Sequence, residues 1–189
     1  MIELSLHLLD LMRNSIEAGA SKVEITIDEN LTEDRLRIEV VDNGRGLSED
    51  QIAKVLDPFY TTRETRHIGL GLPLLREACR RCEGDLEIHS KPGTGAKILA
   101  TFRHSHIDRA PLGDMPSVLI AATLSEKPLD WIYTHRVNRK EFRVDTSEVR
   151  KELMDVPLTH PKVRKWLLEL LVEGENSLSS NSLPLQATA

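Results

Sequence analysis

Asp42, Gly44 and Gly46 stand at alternate positions in LRIEVVDNGRG, residues 36–46, directly after Leu36, Ile38 and Val40 have marked out one face of a strand. An aspartate held at a strand end can accept a hydrogen bond from an exocyclic amine, and glycine lets the backbone approach a flat ligand closely. The arrangement outlines an adenine pocket, although the same Asp-Asn-Gly triplet also makes an ordinary turn. Nearer the start, Asp10 and Asn14 lie four apart with Glu17 three further on, so a helix would project all three from one side. Such a ladder is either the wet side of an amphipathic helix or the lining of a pocket. In a pocket, Asn14 offers a neutral carbonyl oxygen suited to magnesium, and Asp10 a base one turn away. A third set is Gly69-x-Gly71, which opens the helical pattern of Leu72 to Cys82. A glycine turn at a helix start presents unpaired N–H groups and the positive end of the helix dipole, and so suits a phosphate chain.

The hydrophobic period predicts the elements that carry these groups. Residues 2–18 read as a helix with Leu4, Leu8, Leu9, Leu11, Met12 and Ile16 on its apolar face, stopped at Gly19. KVEITID then alternates as a strand, ENLTEDR turns the chain back, and the strand before Asp42 completes a hairpin. Ser48 caps a short helix through Glu49, Asp50 and Ile52 that Pro58 ends. The stretch FYTTRETRHIGLGLP lacks helical periodicity. After the helix of Leu72 to Cys82, closed by Gly84, DLEIHS and AKILATFR read as strands around the turn KPGTG.

Residues 104–116, HSHIDRAPLGDMP, read as a linker. Within it His104, His106 and Asp108 alternate, a pattern that fits a metal site or, better, a hydrogen-bonded domain junction. Asp114 and Pro116 start a helix through SVLIAATLSEK. DWIYTHRV and KEFRVDT form a hairpin about Asn138 and Arg139, Ser147 caps a helix over EVRKELM, and Pro161 opens the last helix. Val163, Trp166, Leu167, Leu170 and Leu171 make its apolar stripe, which is expected to pack on the preceding hairpin. From Glu175 the chain is polar and unpatterned, and a disordered tail is expected.

Composition narrows the classes. The 189 residues, 40% hydrophobic and 29% charged, suffice for one medium domain and a smaller one. No apolar run reaches a membrane span and the opening lacks the features of a signal peptide, so a cytoplasmic location is expected, without a membrane partner. A net charge of -5 argues against nucleic acid as partner. The two cysteines, Cys79 and Cys82, form a C-x-x-C whose better reading is the apolar stripe of a helix rather than a redox pair or half a zinc site.

Four separated segments, taken together and in order, resemble the ATP-binding module shared by gyrase, the heat-shock chaperones, histidine kinases and MutL, known as the GHKL or Bergerat fold. LLDLMRNSIEAGASKVEITI resembles the asparagine box in its MutL-like form, and VVDNGRGLS the first glycine box. DPFYTTR, which contains Phe59, resembles the phenylalanine box of nitrogen-regulatory sensor kinases, and GLGLPLL the second glycine box. The resemblance covers residues 2–103. It implies an α+β fold, a two-layer α/β sandwich whose mixed sheet is covered by helices on one face, with a small C-terminal α+β extension. The expected divisions are an ATP-binding domain over 1–104, a linker over 105–116, a small domain over 117–174 and a tail over 175–189.

By the same resemblance the cofactors are ATP and Mg2+. Asn14 binds the magnesium that bridges the phosphates, and Asp42 takes the adenine amino group. Gly44 and Gly46 shape the base pocket, while Gly69 and Gly71 contact phosphate through the backbone. Phe59 and Leu72 border the nucleotide, and Arg63 and Arg66 lie in the segment equivalent to the ATP lid, where a guanidinium can meet the terminal phosphate. Asp10 is the expected catalytic base, the alternative being that it only holds Asn14 or a magnesium-bound water.

Three departures limit the comparison. Many members carry threonine at the end of the third glycine-rich turn, where this chain has Ala96; Thr94, close by, is the residue expected at the nucleotide from this turn. The hydrolysing members have glutamate where this chain has Asp10, shorter by one methylene. Histidine kinases carry a phosphoacceptor histidine ahead of the module, and only nine residues precede Asp10, so the chain is expected to act without one. His7 lies on the first helix outside any phosphoacceptor box and reads as structural. The expectation is a stand-alone histidine-kinase-like or serine-kinase-like signalling enzyme with a protein partner or phosphoacceptor. The other reading is a nucleotide-gated binding module.

Overall fold

A computed structural model describes residues 3–56, 71–124, 129–154 and 156–179. Six strands form one open sheet: β1 (Lys22–Asn30), β2 (Arg35–Asp42), β3 (Leu86–Ser90), β4 (Ala96–Arg103), β5 (Asp130–Val137) and β6 (Lys140–Asp145). Their spatial order is β3-β4-β2-β1-β5-β6. All neighbours are antiparallel except β1 and β5, which run parallel. The helices are α1 (Leu4–Glu17), α2 (Glu49–Val55), α3 (Gly71–Arg81), α4 (Met115–Ala122), α5 (Thr146–Leu153) and α6 (Pro161–Ser179).

Strand alternation decides which face is covered. Val23, Ile25 and Ile27 of β1 are in register with Asp42, Val40 and Ile38 of β2 and with Trp131, Tyr133 and His135 of β5. The apolar members of this row are buried, together with Ile98, Ala100 and Phe102 of β4. They form one core with Leu4, Leu8, Leu11 and Met12 of α1, Leu75 and Cys79 of α3, Met115 and Leu119 of α4, and Leu167 and Leu171 of α6. The opposite positions are mostly charged or threonine, and include the cross-strand pair Lys97 and Glu39 at 2.9 Å. A mixed sheet with helices on one face is what this division of side chains demands.

Local choices agree with this plan. Ser48 and Gln51 make a reciprocal capping box at the start of α2. Asp114 accepts from Ser117 N at 2.9 Å at the start of α4. At α1, Glu3 supplies no side-chain cap. Instead Leu4 N and Ser5 N donate to the carbonyls of Pro111 and Leu112 at 2.9 and 2.8 Å, so the segment read as a linker caps the first helix.

Four details depart from the sequence reading. The cap of α5 is Asp145, which accepts from the Ser147 backbone N–H at 2.9 Å; Ser147 lies inside the first turn and donates its own hydroxyl to the same carboxylate. After α3 the left-handed residue is Glu83, at φ 57°, rather than Gly84. Gly84 is needed for space, because a Cβ there would run into the Thr101 carbonyl. Trp166 is not on the buried stripe of α6 but 48% exposed, while Leu178 extends that stripe, so Glu175 to Ser179 are helical rather than part of a disordered tail. Finally, the strands expected in a small α+β extension continue the same sheet. The β1–β2 hairpin leaves one edge of β1 unpaired, and β5 takes up its backbone groups while adding Trp131 and Tyr133 to the buried face.

A cluster of ionisable groups fastens this extension at the end of β1 remote from Asp42. His135, nearly buried, lies with Nδ1 2.9 Å from Glu175 of α6 and Nε2 3.0 Å from Glu29 of β1. Glu29 also meets His104 Nε2 at 2.6 Å, and Tyr133 donates its hydroxyl to Glu175 at 2.9 Å. Burial pulls the His135 pKa down, but hydrogen bonds from the imidazole to both carboxylates outweigh it and raise the pKa to about 9. Burial likewise raises that of Glu29, and the two imidazoles more than reverse this, leaving it lowered.

Candidate functional site

Asp42 ends β2 on the covered face of the sheet and is 8% exposed. Its Oδ1 accepts from Gly44 N at 2.8 Å, and its Oδ2 accepts the hydroxyl of Ser15, on α1, at 3.0 Å. The following loop is built for close approach. A Cβ on Gly44 would stand 2.9 Å from the Ala18 side chain, and Arg45 N donates to Ala18 O at 2.9 Å, so the loop lies against the end of α1. Gly46 adopts φ +66°, and a Cβ there would run into the Lys91 carbonyl.

The β3–β4 turn completes this end of the sheet. Gly95, at φ +87°, passes so near β2 that a Cβ would run into the Asp42 carbonyl. Ser90 stitches the two turns together by donating to Gly95 O at 2.6 Å and accepting from Leu47 N at 2.8 Å. Gly93 N adds a bond of 2.7 Å to Arg45 O. Asn43 accepts from Ser21 N and Lys22 N at 2.9 and 3.0 Å, fixing the loop to the start of β1. The loop that follows Asp42 is thus held to α1, to the start of β1 and to the β3–β4 turn.

Asp10 and Asn14 are half-buried on α1, whereas Glu17 is exposed. Gly71 opens α3 beside Asp10, so that a Cβ on it would lie 3.5 Å from Asp10 Oδ2. The carboxylate of Asp10 therefore stands at the N-terminal end of α3, where free N–H groups favour anions. Leu72 is half-buried against the core. Thr94 is exposed and donates to Lys91 O at 3.0 Å, which makes it a brace of the turn. Phe59, Arg63, Arg66 and Gly69 lie outside the described residues.

Asp10, Asn14, Asp42, Gly44, Gly46, Gly71 and Thr94 thus come from α1, the β2 loop, α3 and the β3–β4 turn. Ser15, Ser90 and Gly95 escaped the sequence reading. Ser15 is a small residue on the inner face of a helix, and its partner is 27 positions away; only Gly95 had a local signal, as part of a turn-forming pair. Asn14 and Asp10 carry oxygens of the kind a hard cation such as magnesium takes, and Gly71 sets no side chain against the Asp10 carboxylate.

Other reactive types are engaged elsewhere. Burial pushes the Cys79 thiol up to about 12 and that of Cys82 upward as well, as expected of helix core residues. Burial, with the positive N-terminus, lowers the His7 pKa to about 4, and the histidine packs within the core. His104 is committed to Glu29 as a junction contact, while His106 Nδ1 accepts from Asp108 N at 3.2 Å.

The mixed sheet, the carboxylate at the end of β2, its glycine loop and the asparagine-bearing helix define a class. The model of the histidine kinase-, DNA gyrase B- and HSP90-like ATPases matches residues 2–106, and the chain belongs to that family. It is 32% identical over 95 residues to the sensor protein DegM of Bacillus sp. (strain B21-2), covering 50% of this chain and 25% of the relative. Sporulation kinase C of Bacillus subtilis (strain 168) is 32% identical over 88 residues, covering 47% of this chain and 20% of that protein. Full-length ShkA in complex with AMPPNP is a similar solved structure at 24% identity and TM-score 0.44, covering 51% of this chain and 20% of that one. The chain spans a quarter or less of the length of these relatives.

Proposed function

We propose that the protein binds Mg-ATP between α1, the Gly44–Gly46 loop and the N-terminus of α3, and acts in signalling as a histidine-kinase-like or serine-kinase-like phosphotransfer or ATPase subunit that works on a protein partner. The observation that carries the reading is the buried Asp42 carboxylate, oriented by Ser15 and Gly44 at the head of a loop whose glycines admit a flat base. Asp42 accepts the 6-amino group of adenine. Gly71 and the first turn of α3 receive the phosphates, with Arg63 and Arg66 on the terminal one. Asn14, with Asp10 beside it, holds the magnesium, which when bound offsets the charge of the phosphates. Asp10 accepts a proton from the attacking group, a role that its place next to Gly71 supports. Among the described residues no helix is long and apolar enough to cross a membrane, which is compatible with a cytoplasmic role.

One observation favours a second reading. The carbonyls of Pro111 and Leu112, in the segment that leads to the C-terminal elements, cap α1, the helix that carries Asp10 and Asn14, and α4 shares a core with the same helix. In this reading the chain is an ATP- or ADP-gated module that regulates its partner without turnover. Release of ADP from Mg-ATP, measured with Asp10→Asn and Asn14→Ala alongside, separates the two. The enzyme reading expects turnover that falls by about hundredfold or more in Asp10→Asn while ATP remains bound. Bound ATP without turnover, with or without the partner, supports the gated module; an absence of ATP binding overturns both.

A further inference from the structure

We infer that Ser15 is a positioning residue for nucleobase selection, acting through Asp42; this rests on the adenine-site reading above. Ser15 is 3% exposed, and its hydroxyl lies 3.0 Å from Asp42 Oδ2 and 3.2 Å from Leu11 O. A hydroxyl has one proton to donate. The carboxylate is both the nearer acceptor and the charged one, and a bond to an ionised acceptor is about twice as strong as one to a neutral carbonyl. The proton therefore goes to Asp42.

With Gly44 N on the other oxygen, Asp42 is held by one donor at each oxygen, from two different elements. That fixes the rotation of the carboxylate about its last torsion, which is otherwise broad for aspartate. Each oxygen retains acceptor capacity, and only a donor edge can use it. Adenine presents its 6-amino group there, whereas a base with a 6-carbonyl sets oxygen against oxygen. Gly44 N reaches Asp42 from within the same loop and moves with it. Ser15 is the tie that refers the carboxylate to α1, the helix bearing Asp10 and Asn14, so it keeps the base and phosphate ends of the site in register.

The test measures affinity for ATP and for purine riboside 5′-triphosphate, which lacks the 6-amino group, on the full chain as wild type, Ser15→Ala, Asp42→Asn and the double variant. Thermal melts check folding, which alanine in a helix favours. Ser15→Ala should weaken ATP by about tenfold, the effect of disorienting one charge-assisted hydrogen bond, and leave the 6-desamino nucleotide unchanged. In the Asp42→Asn background the same change should have no further effect. An equal loss for both nucleotides, or no loss for either, overturns the role of Ser15 while leaving the site intact. A wild type that binds neither nucleotide, or both equally, overturns the adenine-site reading and this inference with it.

Discussion

Ser15 on α1 and Asp42 at the end of β2 share a 3.0 Å hydrogen bond across 27 residues of sequence, inside the core. The bond joins the helix that bears Asp10 and Asn14 to the strand that carries the candidate base-recognition carboxylate.

Asp42→Asn keeps the shape of the side chain but turns one acceptor oxygen into a donor nitrogen. The Ser15 hydroxyl can bond either group, so stability should change by no more than about 1 kcal/mol. ATP affinity should fall by at least about tenfold, since a donor would then face the 6-amino group. Calorimetric titration together with denaturant unfolding checks both halves; equal ATP affinity in the variant would remove Asp42 from the site.

Gly95 and Gly93 both take positive φ in the β3–β4 turn, yet their surroundings differ. A Cβ on Gly95 meets the Asp42 carbonyl, whereas one on Gly93 meets nothing within 4 Å. Gly95→Ala should therefore cost about 3 kcal/mol or more, and Gly93→Ala only about 1 kcal/mol from its backbone conformation. Urea midpoints decide the matter, and similar losses in the two variants would contradict the packing at Asp42.

His135 is raised from 6.5 to about 9, so the folded state binds more protons than the unfolded chain between those values. Its stabilisation is complete below about pH 6.5 and is lost as pH rises through about 9. The wild-type melting temperature should fall over that window. His135→Gln should be destabilised at neutral pH by about 3 kcal/mol, because Glu29 and Glu175 lose their cation, and its profile over the same window should be flatter.

His7 works in the opposite sense. Its folded pKa is lowered from 6.5 to about 4, so its neutral form supports the fold fully above pH 6.5 and that support is lost as pH falls towards 4. Its Nδ1 has no hydrogen-bond partner among the described residues. His7→Leu should melt at least as high as wild type at pH 7 and higher at pH 4.5, in parallel melts. A lower melt at both values would indicate a polar role for the imidazole.

Much of the molecule was decided by local sequence. Leu36, Ile38 and Val40 alternate because a half-covered strand requires it, and Ser48 with Gln51 specifies a helix start within four residues. The order Asn14, Asp42, Gly44, Gly46, Gly71 was enough to indicate the family, since each lies in a short local run that can be read without any tertiary contact. Alternation could not say that β5 would lie parallel to β1, because it sets which side chains face the core and leaves the partner strand open. Trp166 reads as core by helical spacing and lies outside because α6 turns the face of Val163, Leu167, Leu171 and Leu178 inward, leaving Trp166 at its margin. Ser15 on Asp42, Glu29 and Glu175 around His135, and Pro111 and Leu112 over the start of α1 are pairings between distant segments. Their energies depend on three-dimensional distance and burial, quantities that come into being only once the sheet and helices have packed.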